Sequence, residues 1–186
     1  MTPTPAHDPT RTPEGYRLTP TGGPALRADV VDLYVFRVTG GRVELLQLLR
    51  NKAPLLGSWQ PVMGHVEPGE RAHETAIREA YEEIALDVRT DDALGFWALE
   101  QVYPYYLPTL DCIVMSPRFV VEVRGGWEPT LNREHTAHRW IGVPEHEGHP
   151  AQTHFMWPGQ KSAVTELLTE IAPTDAPARE HLRITL

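Results

Sequence analysis

Glu79, Glu82 and Glu83 lie in a stretch from about Ala72 to Ile84 that holds no glycine or proline. Ala, Glu and Arg dominate it, and all three are good helix formers. As a helix, the stretch sets the three carboxylates on one face at i, i+3 and i+4, with side-chain bases roughly 5–6 Å apart. Like charges so close repel one another. A divalent cation relieves that repulsion and needs several oxygen ligands, and an all-oxygen donor set favours Mg²⁺ or Mn²⁺ over zinc. Gly64 precedes the helix and has no side chain, so its backbone carbonyl can approach the same place. For the glutamates alone, an ordinary solvated acidic face is an equally good account. Arg78 fits that account too, because Glu74 lies four residues before it.

The elements around these residues are legible. Ala76, Ala80 and Ile84 recur at i, i+4 and i+8 with Ile77 nearby, which gives the helix an apolar stripe. Glu67-Pro68-Gly69-Glu70 is turn-like and places Glu70 near the helix N-terminus, where negative charge is favoured. Trp59 to Met63 reads as a short strand feeding Gly64 into the loop. Strand, loop and carboxylate-bearing helix together form a mould for a metal-bound diphosphate.

Further strands are expected at 30–38 and 42–50, joined by a hairpin at Thr39-Gly40-Gly41. Others are expected at 86–89, 95–103, 111–123 and 137–143, and a last helix at 158–171 with Val164, Leu167, Leu168 and Ile171 on one face. This pattern is an α/β fold: a mixed β-sheet with a helix on either side, an α/β/α sandwich. Residues 1–28, rich in Pro and Thr, read as a flexible arm. Residues 29–172 read as one domain and 173–186 as a tail, whose His-Leu-Arg-Ile-Thr-Leu end suits an edge strand or a partner contact.

The chain has 186 residues, 41% hydrophobic and 23% charged, as expected of one soluble globular domain. Its net charge of −8 argues against a general nucleic-acid binder and requires a polyphosphate substrate to arrive with cations. One cysteine, Cys112, lies in an apolar run and is expected in the core. The chain shows no signal peptide and no membrane-length apolar run, so a cytoplasmic location without membrane association is expected. The nine histidines show no zinc-like spacing.

Taken together, Gly64, Glu70, Arg78-Glu79, Glu82-Glu83 and Leu86 resemble the Nudix box, the signature of hydrolases that cleave nucleoside diphosphates linked to another group. The six from Gly64 through Glu83, fixed residue types at fixed positions, make a strong motif. Two positions depart: Ala80 stands where a larger aliphatic is usual, and Ala85 where glycine is usual and would supply a left-handed cap. The resemblance implies that Glu79, Glu82 and Glu83 bind Mg²⁺ or Mn²⁺ with Gly64, and that Glu70 and Arg78 brace the loop against the helix. Spacing alone does not predict that brace, since eight residues is more than two helical turns.

More weakly, the resemblance covers about 29–171. A glutamate shortly before a tryptophan-bearing strand approaches the metal site in many Nudix enzymes. That makes Glu134, ahead of Trp140, a candidate extra ligand or general base beside Glu82 and Glu83. Arg50 and Lys52 are candidates for substrate phosphate, with solvated loop charges as the plain alternative. The run Trp-Gln-Pro-Val-Met-Gly-His-Val-Glu-Pro-Gly-Glu is most similar to the branch that hydrolyses dATP and dihydroneopterin triphosphate. Tyr103, 17 residues after Leu86, lies near where dinucleoside-polyphosphate hydrolases carry a base-stacking tyrosine; a core or rim aromatic is the plain alternative.

The expected function is metal-dependent cleavage of a nucleoside triphosphate-like small molecule to monophosphate and pyrophosphate. The alternatives are a dinucleoside polyphosphate hydrolase and a non-catalytic nucleotide-sensing Nudix module. An isoprenyl-diphosphate isomerase would need a catalytic cysteine in a context that Cys112 lacks. A homodimer is compatible with the sequence, which does not specify it.

Overall fold

The computed structural model describes residues 22–53, 55–143 and 157–186. Its strands are β1 (Ala25–Arg27), β2 (Val30–Thr39), β3 (Arg42–Arg50), β4 (Trp59–Gln60), β5 (Val62–His65), β6 (Ala93–Ala98), β7 (Tyr105–Leu107), β8 (Cys112–Val114), β9 (Arg118–Val123) and β10 (His135–Val143). The helices are α1 (Ala72–Ile84), α2 (Pro158–Glu166), which runs on into a π-helical turn at Leu167–Ile171, and the short α3 (Pro177–His181).

A seven-stranded sheet has the order β10-β3-β2-β9-β6, with β4 paired to β3 and β5 to β2. It is mixed, since β2 runs parallel to β9 and antiparallel to β3 and β5. Strand alternation sorts β2 between two cores. Val31, Leu33 and Val35 pack with Ala76, Ile77, Ala80 and Ile84 of α1. Tyr34 and Phe36 pack with Trp97 and with Ala163, Val164, Leu167 and Ile171 on the other face. The expected sandwich is therefore present. Thr39 pairs with Arg42 across Gly40 and Gly41, whose φ values of 58° and 77° are those a two-residue hairpin turn demands.

Several element boundaries differ from expectation. Residues 86–89 form no strand: Leu86 and Val88 are buried, but they serve the α1 core rather than a ladder. The strand expected at 95–103 is Ala93–Ala98. The run 111–123 divides into β8 and β9 around Ser116 and Pro117; proline has no N–H for a ladder, and its carbonyl accepts from Asp32 N at 3.1 Å. Tyr105 and Tyr106, expected in a loop, begin β7.

Regular structure starts at Ala25 rather than Asp29, because β1 pairs in parallel with β8. The arm before residue 22 lies outside the described residues. The tail lies along β6: Ala98 N donates to Leu182 O at 3.0 Å and Ile184 N to Phe96 O at 2.8 Å. Cys112 is buried, as expected. No helix of the described residues is long and apolar enough to cross a membrane.

Candidate active site

Helix α1 lies against the sheet, with Glu79 at its middle meeting Gly64 of β5. A Cβ placed there would lie 2.0 Å from both Cδ and Oε1 of Glu79, so only glycine admits the Glu79 side chain. The loop between β5 and α1 is held by one ion-paired cluster. Arg78 donates from Nε to Glu70 Oε1 at 3.0 Å and from Nη2 to Glu70 Oε2 at 3.1 Å, a two-pronged pair. Its Nη2 also donates to the carbonyl of His65 at 2.9 Å. Glu70 Oε2 accepts from Thr75 Oγ1 at 2.6 Å and Glu67 N at 3.1 Å. The Arg78 hydrogen bonds hold the Glu70 carboxyl well below its usual range, at about 2. Glu74 does not pair with Arg78; it accepts from Arg71 N at 2.8 Å, at the start of the helix.

Arg78 Nη1 also reaches Glu79 Oε1 at 2.7 Å and Glu82 Oε2 at 3.4 Å. Glu83 is only 3% exposed, and its Oε2 has no hydrogen-bond partner. Burial, reinforced by the charge of Glu79, pushes its carboxyl up to about 8. Burial likewise raises Glu79.

The helix ends as a glycine-capped one would. Ala85 takes φ 56° and ψ 30°, and the Ala85 and Leu86 N–H groups donate to Tyr81 O at 3.0 Å and Ala80 O at 3.1 Å. The carbonyls of Ile84 and Glu83 then accept from Thr130 N at 3.1 Å and Asn132 N at 3.1 Å. That loop delivers Glu134, whose N–H donates to Asn132 Oδ1 at 2.9 Å.

These residues surround an open cleft of about 550 Å³, lined by Gly64, Arg78, Glu79, Glu82, Glu83 and Glu134 together with Arg50, Lys52, Gln60 and Met63. Glu134 bridges the two cations, 3.1 Å from Arg50 Nη1 and 2.8 Å from Lys52 Nζ. The Lys52 hydrogen bond is the main reason its carboxyl sits below the usual range. Tyr103 is not in the cleft wall: it is half exposed and packs beside Gly159 at the start of α2.

Among the described residues, no three His, Cys, Asp or Glu side chains converge into a ready-made ion site. The donor set nevertheless suits a hard divalent cation. A buried carboxylate oxygen of Glu83 stands without a partner, a second carboxylate, that of Glu79, is pressed against Gly64, and the charge of Glu79 raises the Glu83 carboxyl although Arg78 meets Glu79.

Two buried residues, Gln60 in the cleft wall and His135 behind Glu83, were not singled out by the sequence. Gln60, 1% exposed, has an unpartnered Oε1. His135, 4% exposed, lies with Nε2 4.0 Å from Glu83 Oε2. Their types carry no motif, and only burial marks them.

The NUDIX domain model matches residues 26–165, and the chain belongs to that family. It is similar to the asymmetrical bis(5'-nucleosyl)-tetraphosphatase of Sus scrofa, 35% identical over 96 residues that cover 47% of this chain and 57% of that protein. The Rattus norvegicus enzyme of the same name is 33% identical over 90 residues, with the same two coverages of 47% and 57%. The chain thus spans little more than half the length of these curated relatives.

Among solved structures, an Ap4A hydrolase binary complex from C. elegans superposes with a TM-score of 0.60 at 20% identity, covering 76% of this chain and 95% of the other. The E. coli dihydroneopterin triphosphate pyrophosphohydrolase gives 0.62 at 20% identity, covering 77% and 97%. At such identity the likeness establishes the fold.

Proposed function

We propose that this protein is a divalent-metal-dependent hydrolase that cleaves a phosphoanhydride bond of a nucleotide polyphosphate. The observation that carries the reading is the cleft in which Glu79, Glu82 and Glu83 face Arg50 and Lys52 across an opening braced by Glu70 and Arg78. Glu79, Glu82, Glu83 and the Gly64 carbonyl would hold Mg²⁺ or Mn²⁺, which supplies charge neutralisation on phosphate oxygens and a lowered pKa for water. Arg50 and Lys52 bind the phosphate chain and stabilise the charge that grows on the leaving phosphate. As substrate oxygens take those two cations, Glu134 is released from them and becomes free to serve as a further ligand or as the base. Water attacks one phosphorus in line, the P–O bond to the leaving phosphate breaks, and the proton passes to a carboxylate of Glu134 or of the α1 face.

Two substrate classes fit. The 35% identity to asymmetrical bis(5'-nucleosyl)-tetraphosphatases supports a dinucleoside tetraphosphate. The run from Trp59 to Glu70, and Glu134-His135 before Trp140, support a nucleoside triphosphate or dihydroneopterin triphosphate. Cytoplasmic action on a small molecule accompanies either class. Release of nucleotide and phosphate products is measured across diadenosine tetraphosphate, dNTPs, NTPs and dihydroneopterin triphosphate, with Mg²⁺, with Mn²⁺ and with EDTA. Activity on one of these that is abolished by EDTA is the expected result. Full turnover after exhaustive chelation would overturn the reading, and failure on every substrate with metal present would favour the non-catalytic alternative. If diadenosine tetraphosphate has the higher kcat/KM and Tyr103→Ala removes that advantage alone, Tyr103 takes the second base despite lying outside the cleft wall.

A further inference from the structure

His135 enters the α1 side of the sheet because of an irregularity in β10. From Val143 back to Ala137, β10 pairs residue for residue with β3, so Trp140 opposes Leu46 and His138 opposes Leu48. The register then shifts, and His135 opposes Arg50. Without the shift, Thr136 would oppose Arg50 and His135 would point to the other face; the extra residue re-aims the side chain. The same segment is tied to the end of α1 through Asn132 N on the Glu83 carbonyl and through His135 N on Asn132 O at 3.4 Å.

The consequence is a buried imidazole against a buried carboxylate. Nδ1 and Nε2 of His135 and Oε2 of Glu83 all lack hydrogen-bond partners. Buried polar groups are rarely left so without a reason. An imidazole carries at least one N–H to donate whether it is neutral or protonated.

We propose that His135 is a positioning residue for metal binding: its imidazole N–H holds one carboxylate oxygen of Glu83 and so fixes the direction in which the other faces the cleft. The present 4.0 Å separation closes to a hydrogen bond with a shift of about 1 Å, within reach of rotation about the Glu83 side chain. Partners of this kind orient metal-binding carboxylates, and losing one lowers metal affinity roughly 10–100-fold. The proposal rests on Glu83 being a ligand.

The test measures Mn²⁺ affinity by electron paramagnetic resonance of the free ion, alongside thermal unfolding of the metal-free protein. His135→Phe fills the space without a donor, His135→Leu is a second donor-free side chain, and His135→Gln restores an N–H. The expected result is a loss of at least about tenfold in Mn²⁺ affinity for Phe or Leu and recovery of most of it with Gln. Unchanged affinity in Phe or Leu overturns the proposal. So does equal weakening in all three, which would mark His135 as packing alone. Glu83→Gln is the control: if it binds Mn²⁺ like the wild type, the metal role of Glu83 falls, and the proposal with it. If only Glu83→Gln weakens binding, His135 alone is excluded.

Discussion

Gly64 and Glu79 occupy one another's space. With a Cβ on Gly64 only 2.0 Å from Glu79 Oε1, the glycine at the end of β5 and the first carboxylate of the α1 face form a single steric unit. Gly64→Ala must move the Glu79 carboxylate from its present position, and if Glu79 is a metal ligand, as proposed, a displacement of about 1 Å can cost about a hundredfold in rate. A loss of that order in kcat/KM, with far-ultraviolet circular dichroism unchanged, is expected. Wild-type turnover by Gly64→Ala would show that Glu79 is not needed where it stands.

The Glu70–Arg78 pair links loop and helix, so Arg78→Ala is expected to lower stability and activity together. The pair is partly solvated, and its hydrogen bonds are worth about 1–2 kcal/mol. Its pH dependence has a fixed sign. The Glu70 carboxyl falls from 4.5 to about 2 on folding, so its contribution is present above about pH 4.5 and is lost as pH falls towards 2. Acid unfolding of wild type and Glu70→Gln checks this: the variant lacks that part of the acid-induced loss.

Glu83 behaves in the opposite sense in the metal-free protein. Its carboxyl rises from 4.5 to about 8 on folding, so stability is greatest below about pH 4.5 on this account and is lost as pH rises towards 8. Unfolding midpoints between pH 5 and 8 in the presence of EDTA should fall for wild type more than for Glu83→Gln. Mg²⁺ should raise the wild-type midpoint at the upper end of that range, by favouring the ionised carboxylate. Parallel curves for the two proteins would contradict the burial argument.

Ala85 carries a left-handed conformation that costs a residue with a Cβ about 1–2 kcal/mol. Ala85→Gly is expected to relieve that strain, offset in part by glycine's greater entropy in the unfolded chain. A rise of about 1 kcal/mol in urea unfolding free energy, with kcat unaltered, is the expected outcome; destabilisation would mean that the alanine side chain contributes packing that outweighs its strain.

The sequence alone determined what is local or repeats at short range. Ala72 to Ile84 became a helix because the composition favours one and the apolar residues recur at helical spacing. The Thr39-Gly40-Gly41 turn formed because glycines accept positive φ. The alternation in β2 placed one layer on each face. The box residues were legible because a loop and helix of fixed length set their spacing, and the Glu70–Arg78 pair followed from resemblance to a family rather than from the spacing. The tertiary structure decided what depends on partners far apart in the chain. Leu86 and Val88 are apolar for burial under α1, with no strand edge to join. Tyr103 went to the start of α2 and away from the cleft. A one-residue irregularity in β10, invisible in residue types, set His135 against Glu83. Tertiary neighbours, rather than sequence, then gave Glu70 and Glu83 opposite responses to pH: one carboxylate is met by Arg78, and the other is buried beside the charge of Glu79.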